Sequence, residues 1–257
     1  MRGQVVVVTG ASKGIGFSCA HAFAREGARV ALVSRSRSNL DAALARITDA
    51  AHRPVAFVAD LIDAAQAARM VDDVEAALGP IDVLVSSAGA AKRYPPDELD
   101  AQGWHDAMDA KFFSYIHPLD VIVKRMAARG RGSVVNIIGA GGKTANPVHL
   151  PGGAANAALM LVTAGLAVAY GPRGVRINAI NPGGTLTGRV QQGLDAEAKM
   201  TGIAAEELLT RQQARIPLRR LGNPHEIAEV ALFLASDHAS YVTGAIIPMD
   251  GGRMAVM

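Results

Sequence analysis

The chain alternates between short runs of β-branched residues and longer stretches with apolar residues at helical spacing. The first run, Gln4 to Thr9, ends at Gly10, and apolar residues then recur every three or four positions from Ile15 to Phe23. A run of this kind is typical of a buried strand, and the spacing after it is typical of an amphipathic helix. The pattern therefore predicts a strand, a glycine turn and a helix.

The same alternation repeats along the chain. Six further apolar runs are predicted as strands: Arg29–Val33, Val55–Ala59, Ile81–Val85, Ser133–Ile138, Val175–Ile180 and Ala245–Pro248. Strands separated by helical crossovers pair in parallel, and the crossovers are right-handed. The sequence therefore predicts an α/β fold, with one domain spanning residues 1–257 and a doubly wound parallel sheet of about seven strands.

One long segment interrupts the alternation. Residues 186–213 are polar and rich in alanine, and they follow the end of the predicted strand Val175–Ile180. Parallel sheets bind ligands at the carboxyl ends of their strands. We predict that this segment is a lid over a substrate site; the alternative is a pair of surface helices.

Composition excludes several classes of partner and site. Of the 257 residues, 50% are hydrophobic, enough for a large buried core, and the net charge of +3 comes from Lys and Arg residues scattered along the chain. A nucleic-acid partner is not expected, because no basic tract is present. The single cysteine, Cys19, excludes an intramolecular disulfide and a cysteine-based zinc site, and we expect it to be buried.

The sequence carries no recognisable targeting or membrane segment. Its first ten residues, MRGQVVVVTG, lead directly into a predicted strand, so no signal peptide is expected. We also expect no apolar run long enough to cross a bilayer. These observations predict a soluble, cytoplasmic protein without a membrane partner.

The first glycine turn is suited to phosphate binding. Residues 9–16, TGASKGIG, lie between the first predicted strand and helix, where backbone amides and the positive end of the helix can hold a diphosphate. Glycine is needed where a side chain would block the phosphates. Tight turns also use glycine for backbone reasons alone, so the turn is weak evidence by itself.

TGASKGIG resembles the TGxxxGxG motif of short-chain dehydrogenases/reductases. Residues 86–89, SSAG, resemble the NNAG motif of that family with both amides replaced by serine, and residues 174–183 and 222–252 resemble its later blocks. The resemblance covers nearly the whole chain. It implies a Rossmann-like fold, hydride transfer between a nicotinamide and an alcohol or carbonyl compound, and assembly into homodimers or homotetramers.

The resemblance also implies a dinucleotide site. Its predicted residues are Gly10, Ser12, Lys13, Gly14, Ile15, Gly16, Arg35, Asp60, Leu61, Ala88, Gly89 and Thr187. Arg35 follows the second strand, where an acid would favour NAD, and Lys13 is a second cation in the glycine turn. Together they predict NADP rather than NAD, although either could be an ordinary surface charge. Thr187 matches a threonine that bonds the nicotinamide amide in relatives; the alternative is a helix cap.

The family's catalytic side chains are not found at the matching positions. The resemblance places Gly139 at the family's serine, Gly152 at its tyrosine, Asn156 at the lysine four residues later and Lys111 at its asparagine. No Tyr-x-x-x-Lys occurs anywhere in the chain. The two glycines are expected to open space in the floor of the pocket.

Several functions therefore stay open. Lys111 and His149 are candidate proton donors by position, and Lys143 and Tyr94 are predicted to border the pocket, but none of these residues is assigned as catalytic. The first hypothesis is an NADP-dependent oxidoreductase with a non-standard proton donor. The second is a non-redox lyase, isomerase or aldolase using Lys111. The third is a non-catalytic cofactor sensor or partner subunit.

Overall fold

The computed structural model describes residues 1–89 and 91–254, apart from the side chains at 189, 192, 196, 199 and 200. Over these residues seven strands form one parallel sheet: β1 (Val5–Thr9), β2 (Arg29–Ser34), β3 (Val55–Val58), β4 (Ile81–Ser86), β5 (Gly132–Ile137), β6 (Val175–Pro182) and β7 (Ile246–Met249). Each predicted strand is confirmed, with ends within two residues of those observed.

Helices connect the strands. They are α1 (Gly14–Arg25), α2 (Arg37–Leu44), α3 (Ala64–Leu78), α4 (Ala101–Ala107), α5 (Ser114–Arg129), α6 (Leu150–Tyr170), α7 (Gly188–Thr201), α8 (Ala205–Ala214) and α9 (Pro224–Ala235). A π-helical turn, Met108–Phe113, joins α4 to α5. The segment predicted as a lid, residues 186–213, corresponds largely to α7 and α8.

The sheet has the order β3-β2-β1-β4-β5-β6-β7. The chain therefore starts in the middle of the sheet, moves outward to β3, returns to β4 and moves outward again to β7. The loops that follow β1 and β4 leave the sheet at the point where the direction reverses, and open parallel sheets bind ligands at such points. The glycine turn after β1 lies there.

Both faces of the sheet are covered by helices. Alternate residues of β1 belong to opposite cores, since Val6 and Val8 pack in the cluster that contains the buried residues of α1 and α9, whereas Val5 and Val7 pack with those of α3 and α5. All four valines are at most 3% exposed. This two-sided burial explains why the strands are continuous apolar runs instead of alternating ones.

Cys19 is fully buried in the core between α1 and the sheet, as predicted. Burial raises the pKa of its thiol to about 12, because a thiolate would be poorly solvated there. The side chain therefore acts as a small apolar residue.

The stretch Pro147–Arg173 is more apolar than expected. It is helical over 27 residues and contains an 18-residue window with a mean hydropathy of 1.6, so it is long and apolar enough to cross a membrane by length and composition alone. The expectation that no such run exists is wrong by this measure. In the fold, however, α6 packs on the sheet through Ala155, Leu159 and Ala167, each at most 4% exposed. One face of α6 thus belongs to the core, whereas Leu161 and Val168 elsewhere on the helix are exposed.

The start of α9 is fixed by an ionic cap. The Glu226 carboxylate accepts a hydrogen bond from the backbone N–H of Asn223 at 2.7 Å and two from the Arg220 guanidinium at 2.7 and 2.8 Å. These contacts, Arg220 first, lower the pKa of Glu226 to about 2. Because α9 packs on α1 in the same core, this cap also stabilises the position of α1, the helix that follows the glycine turn.

We expect Glu226→Gln to lower the stability of the protein at pH 7. The pKa of Glu226 falls from 4.5 to about 2 on folding, so the contribution of its charge is complete above pH 4.5 and is lost as the pH falls toward 2. The difference between wild type and variant should therefore shrink over that interval in urea unfolding curves. Glu229→Gln, at an exposed position of the same helix, is the control. A difference that stays constant with pH would contradict this account.

Candidate functional site

The turn between β1 and α1 packs backbone against backbone. A Cβ atom at Gly16 would collide with the carbonyl group of Gly10, and one at Gly10 would lie 2.6 Å from the carbonyl oxygen of Ser87. Gly10 also has a φ angle of +65°, which other residues rarely adopt. No larger side chain fits at these positions, so glycine is what allows the turn, the start of α1 and the loop after β4 to lie in backbone contact.

The amino-terminal end of α1 provides a site for an anion. Lys13 stands at the N-cap position, its side chain makes no capping hydrogen bond, and the first turn of the helix contains no acidic residue. Backbone N–H groups at a helix start lack intrahelical acceptors and bind anions. The geometry thus fits the diphosphate of a dinucleotide.

The loop after β4 is tied to the end of β1. The hydroxyl of Thr9 accepts hydrogen bonds from the backbone N–H groups of Ser87, at 3.1 Å, and Ala88, at 3.2 Å. The next residue, Gly89, packs so closely on the π-helical turn that a Cβ atom there would collide with the carbonyl group of Ala110. Ala88 and Gly89 are therefore held beside the glycine turn, as a shared site requires.

Two cations stand near the end of β2. The hydroxyl groups of Ser12 and Ser34 are 3.2 Å apart, which places the glycine turn against the residue just before Arg35. Arg35 and Lys13 are both exposed. The end of β2 and the adjacent glycine turn therefore carry two positive charges, which could accept a phosphate group.

Asp60 and Leu61 lie after β3, two strands away from β1. The Asp60 carboxylate accepts a hydrogen bond from the backbone N–H of Ile62 at 3.2 Å, and the Leu61 carbonyl oxygen lies 3.0 Å from Nδ1 of His117. Leu61 is 5% exposed. These two residues therefore lie at the carboxyl end of the outermost strand on this side of the sheet.

Thr187 lies opposite the glycine turn. A Cβ atom at Gly14 would be 3.4 Å from its Cγ2 atom. The residue occupies the N-cap position of α7, but its side chain makes no capping hydrogen bond. The alternative role of a helix cap is therefore not realised by the hydroxyl.

The positions matched to the family's serine and lysine face each other. A Cβ atom at Gly139 would be 3.4 Å from the Nδ2 atom of Asn156, and Gly139 has a φ angle of +125°. Asn156 is 5% exposed, and its Oδ1 atom has no hydrogen-bond partner among the described residues. A buried acceptor of this kind requires a donor, and a ribose hydroxyl would supply one.

The expected space at Gly152 is absent. A Cβ atom there would lie 2.5 Å from Nε2 of His149 and 2.8 Å from the Cβ atom of Ala91. The imidazole ring therefore occupies the volume that a side chain at position 152 would enter. The prediction that both glycines open the pocket floor is wrong for Gly152, because the preceding turn of chain folds the ring of His149 over it.

Lys111 is buried in the π-helical turn, with 8% of its surface exposed. Its Nζ atom donates to the hydroxyl of Tyr115 at 2.9 Å and to the carbonyl oxygen of Ile137 at 3.4 Å. The Tyr115 hydroxyl also donates to Ile137, at 2.5 Å, and Tyr115 is fully buried. A tyrosine and a lysine thus meet behind β5, two residues before Gly139, but the phenol cannot touch a ligand.

The sequence prediction did not include this pair, because the family pattern has the order Tyr-x-x-x-Lys. The reversed order, Lys111-x-x-x-Tyr115, has the same helical spacing, and side chains four residues apart meet on one helix face in either order. The signal was therefore present in the sequence. Burial of both side chains was not readable from it.

The loop after β4 contacts the segment that carries His149. The backbone N–H of Tyr94 donates to the carbonyl oxygen of Val148 at 3.1 Å, which joins the loop after β4 to the segment that carries His149. The Nζ atom of Lys92 lies 4.9 Å from the centre of the Tyr94 ring. Lys143 is exposed just after β5.

Over the described part of the chain, no group of three His, Cys, Asp or Glu side chains could hold a metal ion.

Comparison with known proteins agrees with this geometry. Residues 10–253 match the family model described as enoyl-(acyl carrier protein) reductase. D-threitol dehydrogenase of Mycolicibacterium smegmatis is 36% identical over 252 residues, covering 97% of this chain and 92% of the relative. Gluconate 5-dehydrogenase of Gluconobacter oxydans is 32% identical over 252 residues, covering 98% and 95%.

Solved structures give the same result. The crystal structure of L-sorbose reductase from Gluconobacter frateurii, complexed with NADPH and L-sorbose, superposes with a TM-score of 0.94 at 27% identity, covering 100% of this chain and 98% of that one. Levodione reductase superposes with a TM-score of 0.94 at 31% identity over the whole of both chains.

We expect Gly152→Ala to destabilise the protein by about 1–3 kcal/mol, the usual cost of overpacking, because the new methyl group would overlap His149 and Ala91. The cost should be smaller in a His149→Ala background, and urea unfolding of the single and double variants measures the difference. Gly165→Ala is the matched control in the same helix, since nothing lies within 4 Å of its new methyl group. An equal cost in both backgrounds would show that the ring does not occupy this space.

Proposed function

The chain belongs to the short-chain dehydrogenase/reductase family, and from this premise we propose that it is an NADP(H)-dependent oxidoreductase of alcohol and carbonyl compounds whose usual catalytic tetrad is replaced. The observation that carries the proposal is the backbone cradle, by which we mean the turn of Gly10 and Gly16 with the start of α1. A Cβ atom at either glycine would collide with neighbouring backbone, so the turn is built of main-chain atoms. When bound, the dinucleotide supplies or accepts the hydride.

The residues around the cradle suit the other parts of this cofactor. The start of α1 would hold the diphosphate, the Asn156 Oδ1 atom would accept from a ribose hydroxyl, and the Thr187 hydroxyl would bond the nicotinamide amide. The buried Oδ1 atom supports this assignment, because it lacks a partner among the described residues. Ser12, Ile15, Asp60, Leu61, Ala88 and Gly89 would line the remaining wall.

NADP is preferred over NAD in this proposal. Arg35 and Lys13 are exposed at the end of β2 and in the glycine turn, where a 2′-phosphate would meet two positive charges. The bound cofactor of the L-sorbose reductase structure is NADPH, which supports the preference.

The substrate is proposed to be a small alcohol or carbonyl compound. The names of two relatives refer to D-threitol and gluconate, and a third protein was solved with L-sorbose, which supports a hydroxylated small molecule. We further propose that α7 and α8 form a lid, because they follow β6 at the carboxyl edge of the sheet. One leucine of each helix, Leu194 and Leu208, is buried and so anchors the pair to the protein.

The position of Lys111 favours the oxidoreductase over a lyase, isomerase or aldolase that would use this lysine as a nucleophile. Its amine is hydrogen-bonded behind β5 to Tyr115 and Ile137, with 8% of the residue exposed. A Schiff-base lysine has to reach the substrate carbonyl.

The protein is also proposed to form a homodimer or homotetramer in the cytoplasm, without a nucleic-acid or membrane partner. Leu161 and Val168 form an exposed apolar stripe along α6, with 76% and 80% of their surfaces exposed. Apolar residues that repeat on one helix face are suited to packing against a second copy.

We expect Arg35→Ala to weaken NADPH binding roughly 10- to 100-fold, the equivalent of one charge-assisted hydrogen bond of about 1.5–3 kcal/mol, and to leave NADH binding nearly unchanged. Lys13→Ala should act in the same direction with a smaller effect. Fluorescence titration with both cofactors measures the ratio. Arg37→Ala is the control, because its guanidinium already pairs with Asp41 at 3.0 Å. Failure of NADPH to bind the wild-type protein would refute the proposed function.

We expect the double substitution Leu161→Lys and Val168→Lys to reduce the mass of the particle in solution, because lysine cannot be buried between two copies of α6. Light scattering after size-exclusion chromatography measures this. Val58→Lys places the same charge on β3, at the edge of the sheet, as a control. An unchanged oligomer mass in the double variant would place the interface elsewhere.

A further inference from the structure

We propose that His149 exchanges the proton with the substrate oxygen, a role that rests on the proposed oxidoreductase function. The position of the family's tyrosine is held by Gly152, and the ring of His149 fills the volume that a side chain there would enter, with its Nε2 atom 2.5 Å from the Cβ position. A titratable ring thus lies directly beside the position matched to the family's tyrosine, and it is supplied by the residue three positions earlier.

The ring lies among the positions matched to the catalytic side chains. A Cβ atom at Gly141 would be 3.4 Å from Cδ2 of His149 and 3.6 Å from Nδ2 of Asn156, and the Gly139 position is 3.4 Å from the same amide. The imidazole ring therefore lies against the backbone of Gly141 and Gly152 and on the same side as the Asn156 amide, which also faces Gly139. A substrate oxygen could reach a ring in such a setting.

Backbone hydrogen bonds fix the main chain that carries the ring. His149 occupies the N-cap position of α6, its N–H donates to the Asn146 carbonyl oxygen at 2.8 Å, and the adjacent Val148 carbonyl accepts from Tyr94. Its Nδ1 atom is buried, whereas the residue as a whole is half-buried. General acid–base catalysis requires a group held within reach of the reacting atoms, and the fixed main chain limits how far this ring can move.

Imidazole can donate and accept protons near neutral pH. In the reducing direction, the carbonyl carbon accepts the hydride of the reduced dinucleotide while the carbonyl oxygen accepts a proton from the imidazolium of His149. The product is an alcohol, and the neutral ring regains its proton from solvent. In the oxidising direction the ring accepts the hydroxyl proton as the carbon gives up its hydride. Tyr115, the other candidate acid beside the site, is fully buried.

The first test needs no turnover. The ring signals of His149 can be assigned in a nuclear magnetic resonance spectrum by their loss in His149→Gln. Addition of NADP⁺ should shift them, since a nicotinamide ring would lie beside the imidazole, and should leave the signals of exposed His52, just before β3, unchanged. Signals of His149 that do not move at saturating NADP⁺ would overturn the proposal.

The second test separates a chemical role from a structural one. Both His149→Ala and His149→Gln should lower kcat for NADPH-dependent carbonyl reduction by roughly 10²- to 10⁴-fold, with NADPH affinity changed little. Added imidazole should restore part of the activity of the alanine variant, which has a vacated volume, and none of that of the glutamine variant. His52→Ala should match wild type.

The outcomes distinguish this proposal from the one on which it rests. Full turnover in either His149 variant, with NADPH bound, would remove the role of His149 and leave the oxidoreductase function intact. Absence of NADPH binding, or of any carbonyl reduction by the wild-type protein, would remove both. Loss of turnover without imidazole rescue in a folded alanine variant would reduce His149 to a positioning residue and so overturn the proposal.

Discussion

The carboxyl edge of the sheet is held together by backbone contacts that are too close for any side chain to intervene. Gly16 packs on the carbonyl of Gly10, Gly10 on that of Ser87, and Gly89 on that of Ala110. These contacts bring the ends of β1 and β4 and the start of α1 to one place. The rest of the candidate site depends on these contacts, because they hold the backbone N–H groups at the start of α1 beside the ends of β1 and β4.

This dependence explains how cofactor binding and acid–base chemistry can separate in one protein. The proposed cradle is made of backbone, whose shape is set by glycine, whereas proton transfer is carried out by side chains, which can be exchanged without disturbing the sheet. At Gly152 the volume that a side chain would enter is filled by the ring of His149, three residues earlier. We infer that the scaffold constrains where a proton donor stands more than which residue supplies it.

The fold could be read from the sequence because two-sided burial makes parallel strands continuous apolar runs, and all seven were located within two residues. The residues after β1 and β4, predicted to share a cofactor site, lie beside one another in the fold, and their role in binding stays a prediction. The site's interior was not readable. The ring of His149 over Gly152, and the burial of Lys111 against Tyr115, depend on side-chain directions at a helix start and in a π-helical turn, which periodicity does not give. The apolar stretch in α6 was readable from the sequence but was overlooked, and its hydropathy is one that a core helix and a membrane span share.

The central claim is that the backbone cradle holds a dinucleotide whose reactive ring faces a histidine instead of a tyrosine. A crystal structure with NADP⁺ tests this most directly. We expect the diphosphate on the N–H groups of residues 14–16, the 2′-phosphate against Arg35, and the imidazole of His149 beside the nicotinamide ring. A glycine turn without density for the cofactor at saturating NADP⁺, or a tyrosine hydroxyl in contact with the nicotinamide, would contradict the account.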